Sequence, residues 1–110
     1  MHKMKPEIFE GSAVISQKGR DKGRVFVVLY LVDADFVMVA DGDTRKLDRM
    51  KKKRRRHVRA LPYAFPEAAE KYRAGTLKDS DLRTLIWPIR EKLAGAERTD
   101  SGREKPIVQG

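Results

Sequence analysis

The sequence predicts a mainly β protein with a C-terminal α region: a small β-barrel, then one or two short helices and a flexible tail. Three observations carry that expectation. Short apolar runs rich in β-branched residues recur between residues 11 and 61, separated by breaks bearing Gly and Asp. After Pro62 the apolar residues fall at helical spacing instead. The chain of 110 residues has room for one small core and an appendage. Four or five short strands are too few for a sandwich and suit a barrel, which limits exposed edges.

Met1 to Glu10 contains Pro6 and no clear period, so residues 1–10 read as a flexible lead-in whose Ile8 and Phe9 cover a core edge. Ser12 to Ser16 is a short strand, and the polar segment Gln17 to Gly23 is the loop after it. Val25 to Val32 is apolar at every position and β-branched, as in a strand buried on both faces or bending between two sheets. Asp33 to Asp35 breaks the pattern before the strand Phe36 to Ala40. Asp41-Gly42 then predicts a tight hairpin, because type I′ turns need positive φ. The return strand is expected to start over Thr44 to Leu47, with Asp48 to Arg56 as a solvent-exposed crossover and His57 to Leu61 as a last strand. The barrel thus spans residues 11–62.

Residues 63–95 read as a helical extension. Pro66 to Arg73 has proline in the first turn and Gly75 at its stop. In a second helix Ser80 is the expected N-cap, and Leu82, Leu85, Ile86, Ile89 and Leu93 form one face ending at Gly95. Pro88 predicts a kink or break beside Trp87, since an interior proline costs about 3 kcal/mol. Residues 96–110, polar and charged apart from Ile107 and Val108, read as a disordered tail.

The formal net charge is +9, and all of it resides between Arg45 and Arg59, where ten cations face one acid, Asp48. Such a band favours a polyanion: nucleic acid first, then an anionic membrane surface or an acidic protein. Its members Arg45, Lys46, Arg49, Lys51, Lys52, Lys53, Arg54, Arg55, Arg56 and Arg59 are therefore candidate nucleic-acid-binding residues. The absence of cysteine rules out disulfides and thiolate ligands and suits a reducing compartment, so a cytoplasmic protein is expected. The longest apolar run is eight residues against roughly 20 for a membrane span, so no membrane association is expected.

From Gly11 to Gly42 the order strand, basic glycine loop, apolar strand, short break, strand and Asp-Gly turn resembles the KOW motif of ribosomal proteins and transcription elongation factors. The residues carrying it are Val14-Ile15-Ser16, Gly19-Arg20-Asp21-Lys22-Gly23-Arg24 and Val25 to Val28, with Gly23 in the place of the hallmark glycine. Continuation into a basic segment is most similar to the KOW-bearing large-subunit ribosomal proteins and their small relatives. The resemblance implies an SH3-like barrel whose loops contact ribosomal RNA, which makes Lys18, Arg20, Lys22 and Arg24 candidate phosphate ligands. Gly19 and Gly23 allow backbone conformations closed to other residues and close approach by a polyanion. Asp21 would repel phosphate and is expected to hold the loop through local hydrogen bonds.

Other chemistry fits less well. Gly19 to Gly23 lacks the spacing and Lys-Ser/Thr ending of a nucleotide phosphate loop. Asp33, Asp35, Asp41 and Asp43 match no calcium loop and suit turns, so no metal is expected. His57 should have a lowered proton affinity beside Arg56. With no paired nucleophile and base, and no cofactor motif, a non-enzymatic protein is expected. Phe26, Tyr30 and Phe36 lie in apolar strands and are expected in the core, whereas Tyr63 and Phe65 are freer to stack on bases or helices. The expected function is thus binding of structured RNA, ribosomal RNA or the ribosome first, by charge and shape. Six phosphate contacts would give a log-log salt slope of roughly −4 to −5. The alternatives are a protein-interaction module docking through the helical extension on the ribosome or transcription machinery, and a DNA or chromatin reader.

Overall fold

The computed structural model describes residues 7–101, with side chains described from 7 to 95. Strands β1 (Ser12–Ser16), β2 (Val25–Leu31), β3 (Phe36–Ala40), β4 (Lys51–Arg54) and β5 (Val58–Ala64) form one antiparallel sheet in the order β4-β3-β2-β1-β5. Helices α1 (Pro66–Ala74) and α2 (Asp79–Ser101) follow. β4 and β5 are the two edges and are not hydrogen-bonded to each other, so the sheet is open.

β2 is central because both of its faces are covered. Val25, Val27 and Leu29 join Ala13, Ala40 and Leu61 under Ala68, Leu82, Ile86 and Ile89 of the helices. On the other side Phe26 and Val28 pack with Val14, Val37, Val39 and Val58, and Ile8 covers this second cluster. Alternation along a strand sends neighbours to opposite faces, so a two-sided strand is apolar throughout. Each such side chain contributes about 1.5–3 kcal/mol on burial. Leu31 and Val32, beyond this sandwiching, are exposed.

Several boundaries differ from expectation. The Asp41-Gly42 turn is not a two-residue hairpin: β3 ends at Ala40 and β4 begins only at Lys51. Asp41, buried, organises the intervening loop by accepting the N–H groups of Asp43 and Arg45 (2.9 and 2.7 Å) and the Thr44 hydroxyl (2.8 Å). Thr44 to Leu47 is therefore loop, and a single turn of 3-10 helix covers Leu47–Arg49. The predicted crossover is instead edge strand β4 followed by another 3-10 turn, Arg55–His57. β5 runs through Pro62 to Ala64, beyond the expected end of the barrel segment. Proline is accommodated there because an edge strand leaves some N–H positions unpaired.

α1 has Pro66 in its first turn and ends at Gly75 in the left-handed conformation, φ 77°. α2 starts at Asp79, so Ser80 lies inside its first turn; the Asp81 carboxylate accepts the N–H of Lys78 at 2.9 Å. The helix does not break at Pro88. Burial of Leu82, Ile86 and Ile89 on both sides of the proline offsets the lost hydrogen bond. Nor does it stop at Gly95: good helix formers surround that residue, whose interior cost is only about 1 kcal/mol. The expected tail thus begins as helix through Ser101, and residues 102–110 lie outside the described residues. Residues 1–6 of the expected lead-in also lie outside them. Among the described residues no helix is long and apolar enough to cross a membrane.

Gly42 has φ 76°, and a Cβ there would overlap the carbonyl oxygen of Asp79, where α2 meets the sheet. Gly23 has φ 91° but open space around it. Gly42→Ala should therefore cost about 2–3 kcal/mol and Gly23→Ala about 1 kcal/mol, measured by urea denaturation.

Candidate nucleic-acid interface

The loop between β1 and β2 is compact. Ser16 N–H donates to Arg24 O (2.9 Å), Gly23 N–H to Ser16 O (2.8 Å) and Arg24 N–H to Asp21 O (2.9 Å). Closing so short a path requires Gly19 and Gly23 at positive φ, 91° each. Asp21 points inward: its Oδ1 accepts from the Ser16 hydroxyl at 2.7 Å and from Lys53 Nζ at 3.0 Å, and Lys51 Nζ lies 3.7 Å from its Oδ2. Burial pushes its carboxyl up, but the hydrogen bonds from Ser16 and Lys53 and the charges of Lys53 and Lys51 outweigh this and hold it below its ordinary range. Asp21 is thus a structural anchor of the loop.

Lys53 is the residue that sequence reasoning misplaced most. Expected in an exposed crossover, it stands on β4 opposite Val37 with only 5% of its surface exposed. Its Nζ also donates to Lys18 O at 3.0 Å, so it ties the basic loop to the basic band. The reason is strand alternation: Lys51 and Lys53 share the face turned to Asp21, while Lys52 and Arg54 take the other. On that face Lys52 and Arg54 lie over Phe36, 5.0 and 4.9 Å from the ring centroid. Phe36 is accordingly half-buried beneath two cations rather than in the core.

The remaining candidates divide by position. Lys18, Arg20 and Lys22 are exposed on the loop, and their side-chain cations have no protein partner among the described residues. Arg24 turns away, 3.4 Å from Asp41 and 3.5 Å from Asp43, and so joins this loop to the β3–β4 loop. Arg45, Lys46 and Arg49 stand on the β3–β4 loop, whose Leu47 N–H donates to Asp79 of α2 at 2.8 Å. Arg55 reaches the carbonyl of Ile8 at 3.5 Å. Arg56 and Arg59 are exposed with no side-chain partner among the described residues. The two stretches singled out by sequence therefore touch, where Lys53 bridges them and where Gln17 N–H donates to His57 O at 2.8 Å, while Lys52 and Arg54 take the opposite face of β4.

His57 lies at this junction. Desolvation first, then the charges of Arg56, Lys18, Lys53 and Arg54, lower its proton affinity. The four aspartates considered for a metal serve other ends: Asp33 Oδ1 accepts the N–H groups of Asp35 and Phe36 (2.8 and 2.9 Å), Asp41 caps its loop, and Asp43 faces Arg24 and Arg90. No group of three metal-ligating side chains occurs among the described residues. Tyr63 and Phe65 pack on the helix-side core, and Tyr30 stacks on Tyr72 with centroids 5.9 Å apart. Comparison with protein-family models finds no match, and none of the curated proteins matches the chain.

Lys53→Met should destabilise the fold by about 3 kcal/mol in chemical denaturation, because it strands a largely buried carboxylate that keeps only Ser16 and Lys51. Because the carboxyl of Asp21 titrates lower in the folded chain than in the unfolded one, its ionised contribution is full above pH 3.8 and is lost as pH falls through the folded value. The stability difference between the parent and Asp21→Asn should accordingly be large at pH 7 and shrink below about pH 4, read from denaturation midpoints.

Proposed function

We propose that the sheet is an SH3-like barrel of the KOW type with a helical extension, and that the protein binds structured RNA, ribosomal RNA first, without catalysis or cofactor. As read here it is a cytoplasmic ribonucleoprotein component. The observation that supports this most is the Lys53 tether, which joins a positive-φ glycine loop to the cationic band. Cations already paired in the fold, Lys51, Lys53 and Arg24, give this surface its shape. The candidates whose side chains are unpaired among the described residues, Lys18, Arg20, Lys22, Arg45, Lys46, Arg49, Arg56 and Arg59, are the groups left to neutralise phosphates. Binding then proceeds by counterion release and by fit to the backbone rather than by base-edge reading. The same mode is supported by the packing of Phe26 in the core and of Tyr30, Tyr63, Phe65 and Tyr72 against it, which leaves few stacking platforms.

A second reading, docking on a protein, is favoured by Trp87, which stands 59% exposed on α2. A partner retained in a pull-down after nuclease treatment would support it.

Replacing Arg20, Lys22, Arg56 and Arg59 together with serine should flatten the log-log salt slope for folded RNA by roughly 3, at about 0.7–0.9 per lost contact. Stability should change by no more than about 0.5 kcal/mol per site, because these side chains are exposed. An unchanged slope would remove this surface from the mechanism, and equal competition by duplex DNA would shift the reading to DNA.

RNA phosphates should also reverse the positive field at His57, raising its proton affinity. Binding would then take up a proton and tighten as pH falls from 7 toward 6, and an NMR titration of His57 with and without RNA checks the sign.

A further inference from the structure

A cleft of about 530 Å³ opens where the 3-10 turn Arg55–His57 leads into β5. Ile8, Val58 and Ala60 are its apolar lining residues, and Arg55, Arg56 and Arg59 line it as well. We propose that this cleft receives a single unpaired nucleotide of the bound RNA, an inference that rests on the RNA reading above.

Every cation of the basic band that lines the cleft is an arginine. Lys51, Lys52, Lys53 and Arg54 occupy the strand, while Arg55, Arg56 and Arg59 line the cleft. For the charge of a phosphate backbone alone, lysine serves as well. A guanidinium beside an apolar wall adds two capacities: its plane stacks on a base, and its fork grips phosphate with two hydrogen bonds.

The space is that of a small-ligand pocket, roughly 300–1,000 Å³, too confined for a duplex but open to one base splayed from its stack. Ile8, Val58 and Ala60 present an apolar surface for one base face, and an arginine covers the other. Arg55, hydrogen-bonded to the Ile8 carbonyl at 3.5 Å, positions the rim. Arg56 and Arg59, without side-chain partners among the described residues, are the groups assigned to the nucleotide. Gln17 also lines the cleft, its backbone held by the bond to His57 O, and its side-chain amide can meet a base edge as donor or acceptor. A bulged nucleotide is already unpaired, so it enters at least cost.

The test compares two hairpin RNAs of equal length, one with a single-nucleotide bulge and one fully paired, binding to the full chain at fixed salt. The bulged hairpin should bind about tenfold more tightly. In the Arg56→Lys/Arg59→Lys variant, which keeps the charge, affinity for the bulged hairpin should fall about tenfold more than affinity for the paired one, so that the preference for the bulge disappears. Equal affinity of the parent for both hairpins overturns the cleft assignment and leaves the RNA reading intact. Binding to neither overturns both. A lysine variant that keeps the preference overturns the arginine roles. AMP is the probe for a free nucleotide: weak binding that shifts the amide signals of Val58 and Ala60 supports the subsite, while affinity equal to the bulged hairpin's overturns an RNA occupant.

Discussion

Lys53 carries a charge into the packed side of an edge strand, and its Nζ lies 3.0 Å from both the Asp21 carboxylate and the Lys18 carbonyl. Burying an ammonium group is tolerable only when its hydrogen-bonding capacity is met, and here a carboxylate and a carbonyl meet it. The Asp21 carboxylate in turn needs Ser16, Lys53 and Lys51. These groups belong to β1 with the loop that follows it and to β4, which lies more than 30 residues away and is not a neighbour of β1 in the sheet. One small polar cluster thus fixes where the glycine loop stands relative to the cationic strand.

The same logic divides the cations by duty. Those facing carboxylates or carbonyls, Arg24, Lys51, Lys53 and Arg55, define loop positions. Lys52 and Arg54 of the edge strand β4 shield the Phe36 ring of β3, and charged residues on that edge also discourage another chain from adding to the sheet. What remains for an external polyanion is a smaller set, Lys18, Arg20, Lys22, Arg56 and Arg59 chief among it. A charge count therefore overstates the binding surface, because part of the charge is spent inside the molecule.

Much of the fold was legible in the residues. β1 and β3 have the predicted bounds, and β2 differs by one residue, because β-branched runs bounded by Gly and Asp leave few alternatives. α1 likewise follows its Pro66 and Gly75 signals. The errors cluster where local preference and tertiary packing disagree. Pro88 and Gly95 look like breaks, yet α2 runs through both while Leu82, Ile86 and Ile89 bury against the sheet. Asp41-Gly42 looks like a hairpin turn, but the Asp41 carboxylate, held also by Arg24, builds a longer loop. Lys51 to Arg54 looks too charged for a strand, and no local pattern announces that Asp21 waits opposite Lys53.

By itself the sequence determined the antiparallel β region, the C-terminal helices, the concentration of charge between Arg45 and Arg59, and the inward role of Asp21, because each follows from spacing or residue chemistry within a few positions. Only the tertiary structure decided which cations are consumed by the fold, that Lys53 ties the glycine loop to β4, and that Ile8, Gln17 and three arginines line a cleft. Those facts depend on strand register and on contacts between residues far apart in the chain. A one-residue change of register would exchange Lys53 for Lys52 or Arg54 at the buried position, and nothing in the local sequence distinguishes them.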